Sequence, residues 1–112
     1  MINEPTHVKL EIFIPKSHLA QLQAGLTAGG IGIVGKYDSC LSMVEVQGFW
    51  RPLAGASPFD GEVGELSTGT ELKVEVRCPV EKISQALRII RTAHPYEEPL
   101  INIVPLMNHL FE

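Results

Sequence analysis

The chain has 112 residues, a length typical of one domain with a single hydrophobic core. Its formal net charge is −4 and its nine lysine and arginine residues are scattered singly, so a nucleic-acid partner is not expected. No run approaches the roughly 18 apolar residues of a membrane span, and the N-terminus lacks the features of a signal peptide. We therefore expect a cytoplasmic protein without a membrane partner.

The first half of the chain changes from the period of a strand to that of a helix. Residues 8–14 alternate apolar and polar side chains, which predicts a strand with one buried face. Residues 16–28 have leucines at helical spacing, and two glycines follow as a natural stop. A second strand is expected from about Tyr37 to Trp50, with an imperfect alternation that favours a bulge or burial on both faces.

The second half begins with an irregular segment at residues 51–69, in which proline and glycine recur too often for a helix or a central strand. Its apolar side chains predict an ordered, packed loop: Leu53, Phe59 and Val63. Residues 71–78 alternate cleanly and predict a third strand, and the helical period returns at 80–90. In that second helix Ile89 is expected to be exposed, and 100–106 is predicted as the last strand.

The resulting order, β-α-β-β-α-β, predicts an α+β fold of the ferredoxin-like kind. In this plait an antiparallel sheet carries two helices on one face. The other face has no helices, and Phe13 is expected on it, so we expect exposed apolar surface that other copies of the chain cover. The predicted organisation is one domain at 8–106, with tails at 1–7 and 107–112.

The segment between the second helix and the last strand is the strongest candidate for a site. It reads His-Pro-Tyr-Glu-Glu-Pro, so two prolines stiffen a peptide that carries His94, Tyr96, Glu97 and Glu98. Imidazole and carboxylate groups suit a divalent metal or acid–base work. The structural alternative is a turn in which Tyr96 packs and the polar groups bind nearby backbone. Adjacent residues of an extended peptide point in opposite directions, so Glu97 and Glu98 would not converge on one ion.

A second candidate is formed by the cysteines. Cys40 follows Tyr37 and Asp38, and pairing of the second and third strands could bring Cys40 near Cys78. Thiolates of this kind favour copper or zinc. The alternative is that both residues are free thiols in the core, because free cysteine is commonly buried and the spacing forms no disulfide framework.

The irregular segment offers one cation. Arg51 is suited to meet an anion or a carboxylate such as Glu62 or Glu97, and the glycines of the loop expose N–H groups that can bind anions. No phosphate-binding loop pattern is present, so the phosphate signal is weak. Packing of this loop across a neighbouring subunit is the alternative.

Several motifs together resemble the YqfO-type domain of the Nif-three-like dimetal proteins. They are Gly35-x-Tyr37-Asp38-x-Cys40, Gly48-Phe49-Trp50-Arg51-Pro52, the glycine-rich segment at 55–64, and Ala93-His94-Pro95-Tyr96-Glu97-Glu98-Pro99. The last motif is also similar to one in the CutA family. The resemblance implies a stand-alone domain with a PII/CutA-like plait, a fold whose members are often trimeric.

The resemblance does not extend to the dinuclear metal site, whose flanking halves are not in this sequence. The chain also departs from the family's pattern at three positions. Val46 replaces a usual glycine, and Ile101 and Asn102 stand where a tyrosine and an aspartate are common. The missing carboxylate makes a carboxylate-rich metal site less expected.

No catalytic set is recognised, since neither a nucleophile elbow nor a zinc-protease motif occurs. The sequence therefore predicts a small cytoplasmic homo-oligomer, a dimer or trimer, that binds or regulates without catalysis. A small molecule would lie between subunits, near the 94–99 turn and the 51–64 loop, and its candidate ligand-binding residues are Tyr37, Arg51, Tyr96 and Glu98. The alternative is a copper- or zinc-binding protein that uses His94, Glu97 and Cys40, and a metal-dependent hydrolase is a third, less expected interpretation.

Overall fold

Four strands and two α-helices follow one another in the predicted order. A computed structural model describes residues 4–112, so residues 1–3 of the predicted N-terminal tail lie outside the described residues. The bounds are β1 His7–Ile14, α1 Leu19–Ala28, β2 Ser42–Trp50, β3 Ser67–Pro79, α2 Ile83–Ala93 and β4 Ile101–Pro105. A 3₁₀ turn precedes each helix, directly after Pro15 and Pro79. Neither α-helix has the length and apolar character needed to cross a bilayer.

The strands form one antiparallel sheet in the order β2-β3-β1-β4. Leu10 of β1 lies opposite Val76 of β3 and Ile103 of β4, so apolar residues line up across the sheet on one face. Both helices contribute buried residues to the core on that face, which confirms the predicted α+β plait. The largest fully buried side chains are Leu10, Ile12, Ile14, Leu22, Leu26, Ile31, Val74, Cys78 and Ile90.

The helices approach each other closely because glycine occupies two contact positions, one in α1 and one directly after it. A Cβ atom on Gly29 would come within 2.6 Å of Ile89 Cδ1, and one on Gly25 within 2.9 Å of Ile89 Cγ2. Ile89 was expected to be exposed, but it is half-buried and packs against the core. The expectation was wrong because it treated α2 alone and ignored the glycine surface of α1.

The second strand begins at Ser42, not at about Tyr37. The residues before it form turns: Gly35 and Ser39 have φ of 59° and 58°, which no strand accommodates. The Cys40 N–H donates to the Gly32 carbonyl at 2.9 Å, so this segment folds back on itself. The third strand begins earlier than predicted, at Ser67, because its polar first residues pair with β2 beyond the edge of the core.

The face of the sheet that carries no helices, which we call the helix-free face, differs from the expectation at its centre. Lys9 Nζ lies 3.2 Å from Glu11 and 3.1 Å from Glu75, and Lys73 lies 3.6 Å and 3.7 Å from the same carboxylates. The hydrogen bond from Lys9 lowers the pKa of the Glu11 carboxyl below its usual value. The apolar residues of this face, Phe13 among them, lie around this charged centre instead of covering the whole face.

The loop between β2 and β3, residues 51–66, is less packed than expected. It has its own hydrogen bonds, such as that from the Gly64 N–H to the Pro52 carbonyl at 2.8 Å. Its apolar side chains nevertheless remain more than half exposed: Leu53, Phe59 and Val63. The prediction of a packed loop therefore fails for the isolated chain.

His94 ties the end of α2 to β1. It is 6% exposed, its Nε2–H donates to the Phe13 carbonyl, and its Nδ1 accepts from the Tyr96 N–H at 3.2 Å. A carbonyl only accepts, so Nε2 carries the proton, and Nδ1 must be unprotonated to accept from an amide. Burial lowers the pKa of His94, the Phe13 bond partly opposes this, and the nearby His18 lowers it further. The ring is therefore held neutral.

This arrangement predicts that His94 makes folding sensitive to acid. The unfolded chain binds a proton at His94 near pH 6.5, whereas the folded chain binds it only at lower pH. The stability that His94 contributes is therefore complete above pH 6.5 and is lost as the pH falls from there towards the lower folded-state pKa. One group contributes at most about 1.4 kcal/mol per pH unit. Urea unfolding at pH 7.5 and 5.5 should show a smaller pH effect in His94→Gln than in the unchanged chain.

His7→Gln is the matched control, since His7 lies at the start of β1 and its side chain hydrogen-bonds only to its neighbour Thr6 among the described residues. The control should keep the pH effect of the unchanged chain. Equal pH effects in the unchanged chain and in His94→Gln would contradict the neutral, buried ring.

Candidate functional site

The candidate site begins where α2 ends. The last helical residue is Ala93, and His94 is already extended, with φ −84° and ψ 131°. Pro95 lacks an N–H group and disfavours helical geometry in the residue before it, so the chain leaves the helix here. The following residues, with His94, make the 94–99 turn, which leads into β4. The turn is thus set by proline and held by the two hydrogen bonds of His94.

The 51–66 loop folds back onto this turn. The Ser57 N–H donates to Glu97 Oε1 at 3.0 Å, which joins positions 40 residues apart in the chain. The Phe59 ring lies between two other rings, with its centroid 5.9 Å from that of Tyr96 and 5.9 Å from that of His18. One carboxylate and one aromatic ring therefore attach the loop to the turn.

The middle of the loop is fixed to the end of β2. The Trp50 Nε1–H donates to the Asp60 carbonyl at 3.0 Å. Gly61 follows with φ 103°, and a Cβ atom there would lie 2.6 Å from Ser67 Oγ and 3.1 Å from Trp50 Nε1. Only glycine fits this position without displacing the indole, so Gly61 allows the loop to close.

A cleft of about 450 Å³ lies between the loop, the turn and the helix-free face. This volume is in the range of small-molecule sites. Its walls come from β1, the end of β2, the loop, β3, the turn and the residue before β4. The lining residues are Phe13, Phe49, Trp50, Arg51, Pro52, Leu53, Ala56, Pro58, Phe59, Asp60, Glu71, Tyr96, Glu97, Glu98 and Leu100.

Tyr96 and Glu71 meet at the cleft. The Tyr96 hydroxyl donates to Glu71 Oε2 at 3.3 Å, and the Tyr96 ring lies 4.7 Å from the His94 ring, centroid to centroid. Burial, together with the negative charge and hydrogen bond of Glu71 and the charge of Asp60, raises the pKa of Tyr96 to about 12. Gly48 on β2 leaves room for Glu71, because a Cβ atom there would lie 2.6 Å from Glu71 Oε1.

The structure brings together most of the residues that the sequence singled out. Arg51, Tyr96, Glu97 and Glu98 line the cleft. His94 is buried and contacts the Tyr96 ring, with both ring nitrogens in hydrogen bonds. The turn and the loop therefore line the same cleft.

Two candidate residues lie elsewhere. Tyr37 is 75% exposed in a turn that Val34 closes. Cys40 lines a smaller hollow whose other lining residues are Lys9, Val34, Leu41, Ser42, Glu75, Val76 and Arg77. The three proposed metal ligands are thus not gathered, and residues 4–112 contain no group of three or more histidine, cysteine, aspartate or glutamate side chains placed to hold a metal ion.

The sequence did not identify Asp60 and Glu71 as parts of the site. Glu71 is the first residue of the alternating run at 71–78, and its partner Val46 on β2 follows from the observed register. A loop of sixteen residues joins the two strands, so their register could not be derived from the turn. Arg51 forms no salt bridge with Glu62 or Glu97. The salt bridges of the described residues all lie at the centre of the helix-free face.

Comparison with known proteins identifies relatives of a larger size. The chain is 37% identical over 98 residues to the GTP cyclohydrolase 1 type 2 homolog of Bacillus subtilis, covering 88% of this chain and 26% of that protein. It is 36% identical over 99 residues to the protein of the same name from Mycobacterium leprae, with the same coverage. The chain thus spans about a quarter of the length of these curated relatives. No protein-family model matches it.

Solved structures show the same fold. A Bacillus cereus protein related to NIF3 superposes with a TM-score of 0.81 at 27% identity, over 96% of this chain and 27% of that one. The periplasmic divalent cation tolerance protein CutA from Archaeoglobus fulgidus gives a TM-score of 0.68 at 17% identity, over 90% and 84% of the two chains. The PII-like protein CutA from Nostoc also gives 0.68, at 15% identity, over 94% and 86%. The chain is therefore similar in sequence to a segment of these Nif3-like proteins, as the motifs predicted, and has a CutA/PII-like fold.

Proposed function

We propose that the chain is a ligand-binding or regulatory module that self-associates in the cytoplasm and has no catalytic activity of its own. The observation that carries the proposal is the 450 Å³ cleft between the 51–66 loop and the 94–99 turn. The two irregular segments of the fold meet there, and each supplies both apolar and polar lining residues. A preformed concave site with a few polar groups is the usual form of a small-molecule site.

The chemistry of the cleft supports binding over catalysis. A general base needs an accessible group whose pKa lies near neutrality. His94 has both nitrogens in hydrogen bonds, and the high pKa of Tyr96 keeps its hydroxyl protonated. His94 and Tyr96 therefore shape the site, because each donates its proton in a hydrogen bond to another residue of the chain. The free thiols of Cys40 and Cys78 suit a reducing compartment, which supports a cytoplasmic location.

Self-association is supported by the surface that the chain leaves exposed. Its accessible surface is 7237 Å², whereas a compact monomer of this mass exposes about 6,100 Å². Its radius of gyration is 15.5 Å, against about 13 Å expected for this length. Met43, Val44 and Phe49 of β2 are exposed on the sheet edge that β2 forms. A second or third copy would cover this surface.

Ligand binding in the cleft can be tested directly. A fragment screen, read out by the fluorescence of Trp50, which is the only tryptophan, should find compounds that bind. Phe59→Ala removes an exposed ring from the cleft wall, and we expect it to weaken these compounds about tenfold or more, within the range for a lost aromatic contact. Phe111→Ala is the matched control, since Phe111 is 82% exposed and outside the cleft. Compounds that bind Phe59→Ala as tightly as the unchanged chain would contradict this location.

Self-association can be tested by measuring the mass of the protein in solution. Light scattering at micromolar concentration should give two or three times the mass of one 12.3 kDa chain. Val44→Glu introduces a charge into the apolar surface, but it lies opposite Lys73, so the single chain tolerates it. This variant should shift the mass towards one chain, while Ser84→Glu, on the exposed side of α2, should not. A monomer at this concentration in the unchanged chain would remove the oligomeric part of the proposal.

The divalent-metal alternative can be tested separately. A metal ligand must offer a lone pair, and His94 offers one only after a hydrogen bond to Phe13 or Tyr96 breaks. Calorimetric titration with zinc(II) or copper(II) should therefore show no site tighter than roughly 1 μM. A tighter site that is weakened by both Glu97→Gln and Cys40→Ser would favour the metal-binding function instead.

A further inference from the structure

The side chains that line the cleft are mainly of two chemical kinds. Five are aromatic: Phe13, Phe49, Trp50, Phe59 and Tyr96. Four are acidic: Asp60, Glu71, Glu97 and Glu98. Arg51 is the basic residue among the lining residues. Four carboxylates against one guanidinium give the cleft an excess of negative charge, and this excess lies beside aromatic surface.

Two of the carboxylates are already engaged within the fold. Glu97 accepts the Ser57 N–H, and Glu71 accepts the Tyr96 hydroxyl. The side chains of Asp60 and Glu98 have no hydrogen bond or salt bridge among the described residues. These two carboxylates are available to a bound molecule without the loss of a bond that holds the loop or the turn.

The behaviour of Tyr96 indicates the sign of the potential in the cleft. Burial is the largest cause of the raised pKa of its hydroxyl, and the charges of Glu71 and Asp60 raise it further, so these two carboxylates disfavour another negative charge at that position. An anionic ligand would meet the same repulsion. A cationic ligand would be attracted, because clefts lined by charge of one sign concentrate the opposite charge.

The aromatic rings add a second attraction for cations. The Phe59 and Tyr96 rings are 5.9 Å apart and inclined at 47°, so they form two walls that meet at an angle and do not stack face to face. An ammonium or guanidinium group within about 6 Å of such a ring is attracted by the electrons of its face. Apolar surface also favours a ligand with a hydrocarbon body over a hydrated metal ion.

We propose that the cleft binds an organic cation: an ammonium or guanidinium group attached to an apolar or aromatic body of small-molecule size. The charged group would lie near Asp60 and Glu98, and the body would lie against the Phe59 and Tyr96 rings. This inference rests on the proposed function, because it names the chemical class of ligand for the same cleft.

Three probes that share one body separate the charge from the shape: 3-phenylpropylammonium, 3-phenylpropanol and 3-phenylpropanoate. Each is titrated into the full chain at neutral pH and low salt, with Trp50 fluorescence excited at a wavelength where the probes do not absorb. The ammonium compound should bind about tenfold more tightly than the alcohol, and the carboxylate should bind more weakly than both. Raising the salt concentration should reduce the advantage of the ammonium compound and leave the alcohol unchanged.

Two variants locate the charge. Glu98→Gln and Asp60→Asn each remove one available carboxylate that makes no hydrogen bond or salt bridge within the described part of the fold. The affinity for the ammonium compound should fall about threefold or more in each variant, while the affinity for the alcohol stays the same. Glu62→Gln is the matched control, because Glu62 is an exposed residue of the same loop and does not line the cleft. The control should leave all three affinities unchanged.

The possible results separate this inference from the proposed function. If the alcohol or the carboxylate binds as tightly as the ammonium compound, the cleft is a binding site but not one for cations, and this inference fails alone. Equal losses in Glu98→Gln and Glu62→Gln would also overturn it. If none of the three probes binds and the fragment screen finds no ligand, the inference and the proposed cleft fail together.

Discussion

The neutral ring of His94 holds the parts of the site together. Its Nε2–H reaches the Phe13 carbonyl at the end of β1, and its Nδ1 receives the Tyr96 N–H from the turn. The first bond fixes the end of α2 against the sheet, and the second fixes the backbone that presents Tyr96. Both bonds are inside the protein, where an unsatisfied polar group costs roughly 1–3 kcal/mol, so neither is easily given up. The position of the cleft wall therefore depends on a proton that stays on one nitrogen.

The 94–99 turn positions the 51–66 loop. Glu97 accepts the Ser57 N–H, and Tyr96 lies next to Phe59, so a segment of sixteen residues rests on contacts with two residues of the turn. The middle of the loop is also held by Trp50 at the end of β2, which donates to the Asp60 carbonyl. The apolar side chains of the loop remain exposed, so these contacts define an irregular segment that has no core of its own. Side-chain hydrogen bonds replace hydrophobic burial here.

The alternation of residues 71–78 predicted the core face of β3 correctly because a strand buried on one face must alternate. The predicted start of β2 was wrong because Ser39, with a φ of 58°, lies in a turn before the strand. The apolar pattern of the sequence does not reveal this backbone angle. The sequence could indicate the 94–99 turn as part of a candidate site, since two prolines and four polar groups in six residues are visible in it. Glu71 could not be assigned to it, because strand register determines which carboxylate meets Tyr96.

The same contacts determine what a bound molecule would do to the protein. A bound molecule that touches both Phe59 and Tyr96 would stabilise the arrangement in which the loop contacts the turn. It would therefore increase the population of that arrangement. The loop follows β2 directly, and the exposed apolar edge that β2 forms is the surface proposed for contact with another copy. Ligand binding and self-association would then be linked, and by reciprocity assembly would change the affinity of the cleft by the same factor. This linkage is what distinguishes a regulatory module from a simple carrier of a small molecule.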